Sequence, residues 1–150
     1  MKAWHFVDDT LRDGSPVPAD GIKLVHSGPV VPCKSGLHVS TDPFDALQYA
    51  SGPHLCLVEY GGVVVPHGNP VDKLACSERT IVTRMDATLL LRYFARQQAL
   101  SVVHLWKPPQ VVLDFLMGDD AARAAAWDAA SDAARVEFNA LVYEAFEDWL

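Results

Sequence analysis

Leu37-His38-Val39-Ser40-Thr41-Asp42-Pro43-Phe44-Asp45-Ala46-Leu47 passes from one backbone period to another within a few residues. Leu37 and Val39 fall on one side of an extended strand, His38 and Ser40 on the other. Asp42 can accept a hydrogen bond from the first free N–H groups of a helix. Pro43 then occupies the first helical position, where its missing N–H costs nothing. Phe44, Leu47 and Ala50 share one face of that helix, and Gly52-Pro53 ends it. A strand running into a capped helix predicts an α+β fold.

Upstream, residues 3–7 read as a first strand, and Ile22–Val25 and Val30-Val31 as short ones, separated by Gly- and Pro-rich turns. Downstream, His54–Tyr60 alternates Leu55, Leu57 and Glu59 with Cys56, Val58 and Tyr60, the pattern of a half-buried strand. Gly61-Gly62 reads as a turn into a further strand, Val63–Val65. A loop follows at His67-Gly68-Asn69-Pro70, and residues 79–84 complete a small, strongly bent sheet. From Asp86 the period becomes helical, with Leu90, Leu91, Phe94 and Ala95 on one face. Leu100–Trp106 fits a short helix or a buried strand equally well. Pro108-Pro109 breaks the chain and starts a helix through Leu116.

A long C-terminal helix is expected from about Asp119, because Ala121–Ala134 is rich in the strongest helix former. Trp127, Ala130, Ala134, Phe138, Leu141, Val142, Ala145, Phe146 and Trp149 follow one another at steps of mainly three or four residues. They would form one apolar face. Trp127, Phe138, Leu141, Phe146 and Trp149 are therefore the candidate interaction residues, for a partner or for a second copy in a homodimer.

Charge divides the chain in the same place. Residues 1–113 carry ten acids and ten bases, whereas residues 114–150 carry nine acids and only Arg123 and Arg135, so the net charge of −7 belongs to the tail. The expected organisation is an α/β domain over 1–113 and an acidic, alanine-rich helical extension over 114–150. Such a tail repels phosphate, which argues against direct nucleic-acid binding and suits a partner with a basic surface. Glu144, Glu147 and Asp148 crowd a helix end whose dipole prefers cations, which points the same way. No apolar run approaches the length of a membrane span, and Asp8-Asp9 falls too early for a signal-peptide core, so a cytoplasmic protein is expected. Cys33, Cys56 and Cys76 read as free thiols of a reducing compartment. A metal site from Cys33, His38, His54 and Cys56 lacks any C-x-x-C spacing, and no metal is expected.

Phosphate-loop, dinucleotide-fold, nucleophile-elbow and zinc-protease signatures are all missing. Three blocks stand out instead. They are Cys33-Lys34-Ser35-Gly36-Leu37-His38-Val39-Ser40 with Asp45-Ala46 and Tyr49-Ala50; Asp72-Lys73-Leu74 with Ser77-Glu78-Arg79-Thr80; and Asp86-Ala87-Thr88 with Leu91-Arg92 and Phe94-Ala95-Arg96. Together with the alanine-rich tail, they resemble an uncharacterised family of small phage, prophage and bacterial proteins. That resemblance implies an accessory protein acting by protein–protein contact on a bacterial host or defence component.

The segment Gly36–Thr41, followed by an acidic cap, Ala46 and Tyr49-Ala50, is also similar to the central motif of small ADP-ribosyltransferase-like domains. This second resemblance implies an NAD-consuming enzyme, with NAD as substrate and no bound cofactor. His5, His38 and Glu78 would be catalytic. Histidine would hold the ribose, and the carboxylate would stabilise the oxocarbenium-like state as nicotinamide leaves. Ser40, Tyr49 and Lys73 would bind substrate, Lys73 through a phosphate. The chain departs from the pattern at Phe6, where a small residue is usual, and at His38, where tyrosine is usual.

Overall fold

The computed structural model describes residues 1–11 and 13–132, and the chain divides into two units between Leu91 and Arg92. The first unit is a five-stranded antiparallel sheet with one short helix. Its elements are β1 (Lys2–Val7), β2 (Lys23–Val25), β3 (Leu37–Val39), α1 (Pro43–Leu47), β4 (His54–His67) and β5 (Lys73–Asp86). The strand order is β1-β4-β5-β2, with β3 also on β5. β2 pairs with Glu78–Thr80 and β3 with Leu74–Cys76. The sheet is not closed. Its two ends do meet at one place, where Ser40 exchanges both backbone hydrogen bonds with Trp4, at 2.8 and 2.9 Å. That exchange brings β3 beside β1 and gathers the histidines of the two strands.

α1 forms as its sequence dictates, with Pro43 at its start and Asp42 Oδ1 accepting from the Phe44 N–H at 2.8 Å. The core is centred on Ala3, Val7, Val39, Cys56, Val58, Cys76 and Ile81, contributed by β1, β3, β4 and β5. Phe6, Ala46 and Ala87 form a second cluster with Trp4, Leu47, Leu55 and Leu91 around them, and this one holds α1 to the sheet. Burying such side chains is the main favourable term, of about 25 cal/mol per Å² of apolar surface.

Three expectations are corrected. Gly61-Gly62 does not turn the chain; β4 runs straight through it as one strand of 14 residues. The ladder instead slips register between Gly61 and Val64, where two residues of β4 oppose Ser77 alone. Ser77 Oγ accepts from the Val63 N–H at 2.8 Å and so satisfies a donor that the bulge leaves out of the ladder. β5 begins at Lys73, six residues before the expected strand, because β3 and β4 flank it there on both sides. Val30-Val31 is not a strand: Val31 makes a lone bridge to Ser35.

Gly62 lies in the left-handed region at φ +69°, and a Cβ there would stand 2.0 Å from Ser77 Oγ. Gly62→Ala is expected to lower unfolding stability by about 1–2 kcal/mol, through backbone strain and displacement of Ser77. The urea midpoint measures it, and an unchanged midpoint would mean the bulge is not held as described.

α2 (Thr88–Val102), which crosses the boundary between the units, is followed by a 3-10 turn at Val103–Leu105, so Leu100–Trp106 is helical and not a strand through Leu105. α3 (Gln110–Leu116) starts directly after Pro108-Pro109. Asp119 Oδ1 then accepts from the Ala121 N–H at 3.0 Å and caps the turn Asp120–Ala122, after which residues 123–132 are helical. Arg96 pairs with Asp120 at 2.5 Å and lies over the Phe115 ring, which ties α2 and α3 to that turn.

Candidate functional site

Five of the six enzyme-type residues chosen from sequence line one cavity of about 400 Å³ in the first unit: His5, His38, Ser40, Tyr49 and Lys73, with Trp4 and Cys33 beside them. Each arrives for a local reason. His5 stands mid-way along β1, opposite Cys56, and His38 mid-way along β3, opposite Ala75. Ser40 is fixed by its backbone exchange with Trp4. Tyr49 follows the end of α1, and Lys73 opens β5.

The electrostatics divide the cavity. His5 is half-buried in the cavity wall, and burial pushes its pKa well below the ordinary value, with Arg79 and then His38 adding to the effect. His5 is therefore a neutral imidazole near pH 7, able to donate through one nitrogen and accept through the other. Opposite in character, Lys73 is a buried amine, 8% exposed. Its Nζ lies 3.7 Å from the centre of the Tyr49 ring and donates to Cys33 Sγ at 3.4 Å. The Tyr49 hydroxyl donates to Asp72 Oδ2 at 2.5 Å. That bond pushes the phenol pKa up, and it holds the Asp72 carboxyl below the usual range.

Glu78 is not brought to this cavity. It makes a solvent-facing ion pair with Lys23 of β2 at 2.8 Å, not with Arg79 or Arg84. Alternation along β5 is the reason: Arg79 and Ile81 share the buried face, so Glu78 between Ser77 and Arg79 is turned to water. Arg79 is the residue turned inward there, 4% exposed, with Nη1 donating to the His38 carbonyl at 2.8 Å.

Sequence reasoning did not select Cys33, His67 or Arg79 for this region. Cys33 takes a left-handed φ of +65°, and its sulfur lies 3.6 Å from His67 Nε2. His67, expected in a loop, ends β4, and nothing in the sequence pairs it with Cys33. The chemistry on offer is a neutral imidazole, an ammonium and hydroxyls converging from separate elements, a donor set suited to a polar, anionic ligand.

Among the described residues no group of three or more His, Cys, Asp or Glu is placed to hold a metal ion. No helix of the described residues is long and apolar enough to cross a membrane. Of the candidate interaction residues, Trp127 lies in the helical stretch 123–132 and is 75% exposed. Phe138, Leu141, Phe146 and Trp149 lie outside the described residues.

No curated protein and no solved structure matches the chain. Its first 92 residues, which hold every strand among the described residues and the whole of the cavity, match the family described as Domain of unknown function (DUF7666), and the chain belongs to that family.

Proposed function

We propose that the β-rich unit binds and splits NAD, in the manner of a small ADP-ribosyltransferase-like domain. One observation carries this: His5, His38, Ser40, Tyr49 and Lys73, chosen for that chemistry from the sequence, line one cavity. In the reaction the bond between the ribose C1′ and the nicotinamide nitrogen breaks, and nicotinamide leaves with the electron pair. Water or an acceptor hydroxyl bonds to C1′ and releases a proton. Neutral His5 holds a ribose hydroxyl, Trp4 and Tyr49 offer aromatic surface, and Lys73 meets a phosphate. The Asp72 carboxylate accepts from the hydroxyl of Tyr49, which lines the cavity. Glu78 keeps its ion pair with Lys23 and takes no direct part.

Nicotinamide release from NAD tests the proposal. His38→Ala is expected to reduce release at least tenfold, and Glu78→Ala to leave it within about twofold. Absence of nicotinamide release by the full chain would overturn it. A large loss in Glu78→Ala would instead restore the glutamate to the reaction.

A second proposal rests on the exposure of Trp127 in the acidic tail. It is a cytoplasmic phage or prophage accessory protein that contacts a basic host or defence partner, or a second copy of itself, through residues 114–150. The strong bend expected of the sheet and a helix continuing through the tail belong to these proposals.

A further inference from the structure

Among the described residues, Arg79 is a buried guanidinium without a paired carboxylate. No carboxylate among the described residues forms an ion pair with it; the pairs present are Lys23–Glu78, Arg84–Asp20 and Arg96–Asp120. Nη1 is used on the His38 carbonyl, and Nε is buried with no hydrogen-bond partner among the described residues. Burial pushes the pKa of this group down, which is the mark of a cation held away from water. An uncompensated buried charge is among the most unfavourable features a fold can carry. Selection for an external anion explains its presence better than selection for stability does.

The surroundings fit that explanation. Arg79 lines a second cavity of about 310 Å³, together with His5, His38, His26, Lys34 and Asp13. Lys34 is exposed and adds a second positive charge. His26 is anchored, one ring nitrogen lying 3.2 Å from the Pro29 carbonyl oxygen. The acid at the rim, Asp13, is occupied by its own turn, accepting from Ser15 N at 3.0 Å and Ser15 Oγ at 2.6 Å. His5 and His38 line this cavity and the first one, so the two share a wall.

We infer that Arg79 forms the floor of a binding site for a phosphate-type oxyanion, with Lys34 at its entrance. Nη1 is held on the His38 carbonyl and Nε is closed to solvent, so Nη2 is the donor left to meet an oxygen of such an anion, with the guanidinium charge behind it. The site deepens the NAD proposal by giving the diphosphate a place beside the ribose histidines, and it rests on that proposal only for the identity of the ligand.

The test is isothermal titration of the full chain with inorganic pyrophosphate and with phosphate, at constant ionic strength set by chloride. Saturable binding is expected, with pyrophosphate the tighter ligand. Arg79→Gln should weaken it at least tenfold, and Arg79→Lys, which keeps the charge, by less. Should Arg79→Gln fail to fold, Lys34→Ala replaces an exposed side chain; it should weaken binding about threefold with an unchanged melting temperature in anion-free buffer. No saturable binding by the native chain, or equal affinity in all variants that fold, overturns the site. Pyrophosphate binding without nicotinamide release would retain this site and remove the NAD proposal. Release without pyrophosphate binding would do the reverse.

Discussion

Ile81→Ala is expected to lower the unfolding free energy by about 3–4 kcal/mol, the largest stability loss of any single substitution considered. Ile81 is 2% exposed and stands opposite Val58, which is fully buried. Around them are Cys56, Cys76, Val39, Ala3 and Val7, drawn from four strands. Truncation removes three carbons and leaves a void. The lining belongs to strands fixed by ladders on either side, so it cannot collapse inward, which places the cost in the upper part of the usual range of about 2–5 kcal/mol for such changes. Ile81→Val, which removes one carbon, should cost about 1 kcal/mol. Urea unfolding followed by circular dichroism measures both, with an unchanged slope confirming that the same surface is exposed. A loss below about 1 kcal/mol for the alanine variant would mean that the core is centred elsewhere.

Acid is expected to destabilise the first unit through His5. Its folded pKa is depressed, by burial first and by Arg79 and His38 after that. Above about pH 6.5, the ordinary value for histidine, folded and unfolded chains both carry it neutral and its contribution is fully present. As pH falls below that value, the unfolded chain takes up a proton that the folded chain refuses, so stability is lost until the depressed folded value is reached. Between pH 7.5 and 5.5 this one group removes at most about 1.4 kcal/mol. His5→Leu abolishes the term, and the difference between native and variant chains isolates it from other titrating groups. Measured at pH 7.5, 6.5 and 5.5, the native chain should lose stability relative to the variant as pH falls, by up to about 1.4 kcal/mol across the range. Parallel lines would show that His5 is open to water and protonates freely.

The short-range chemistry was legible in the sequence. β1, β3 and α1 follow from alternation and from the Asp42-Pro43 cap, each decided by neighbours within a turn or a pleat. The helical start after Asp86, whose Oδ1 accepts from the Thr88 N–H at 2.8 Å, was legible for the same reason. What escaped was decided across strands. Gly61-Gly62 is compatible with a turn or a bulge, and the Ser77 hydroxyl, fourteen residues from the amide it binds, chooses the bulge. The site divides likewise. His38, Ser40 and Tyr49 lie in one short motif, so they could be found together. Arg79 could not: arginine is ordinarily a surface residue, and it is buried because it shares a face of β5 with Ile81 of the core, two residues on, which leaves Glu78 on the other face. Cys33 and His67 are brought together over 34 residues of sequence, a distance no local pattern spans.

The pairing of the sheet also governs how it meets other chains. β5 is flanked on both sides, by β4 along its length and by β2 and β3 on the other side, and β4 lies between β1 and β5. The outer strands are β2 and β3, of three residues each, and β1, of six, which is interrupted on its free side by the Trp4–Ser40 bridge. A strand from a neighbouring molecule therefore finds only short stretches of unpaired amides and carbonyls to extend. The sheet is a poor template for edge-to-edge aggregation, although Val58 and Ile81 sit within two long strands rich in β-branched residues that would propagate readily if stripped of their neighbours.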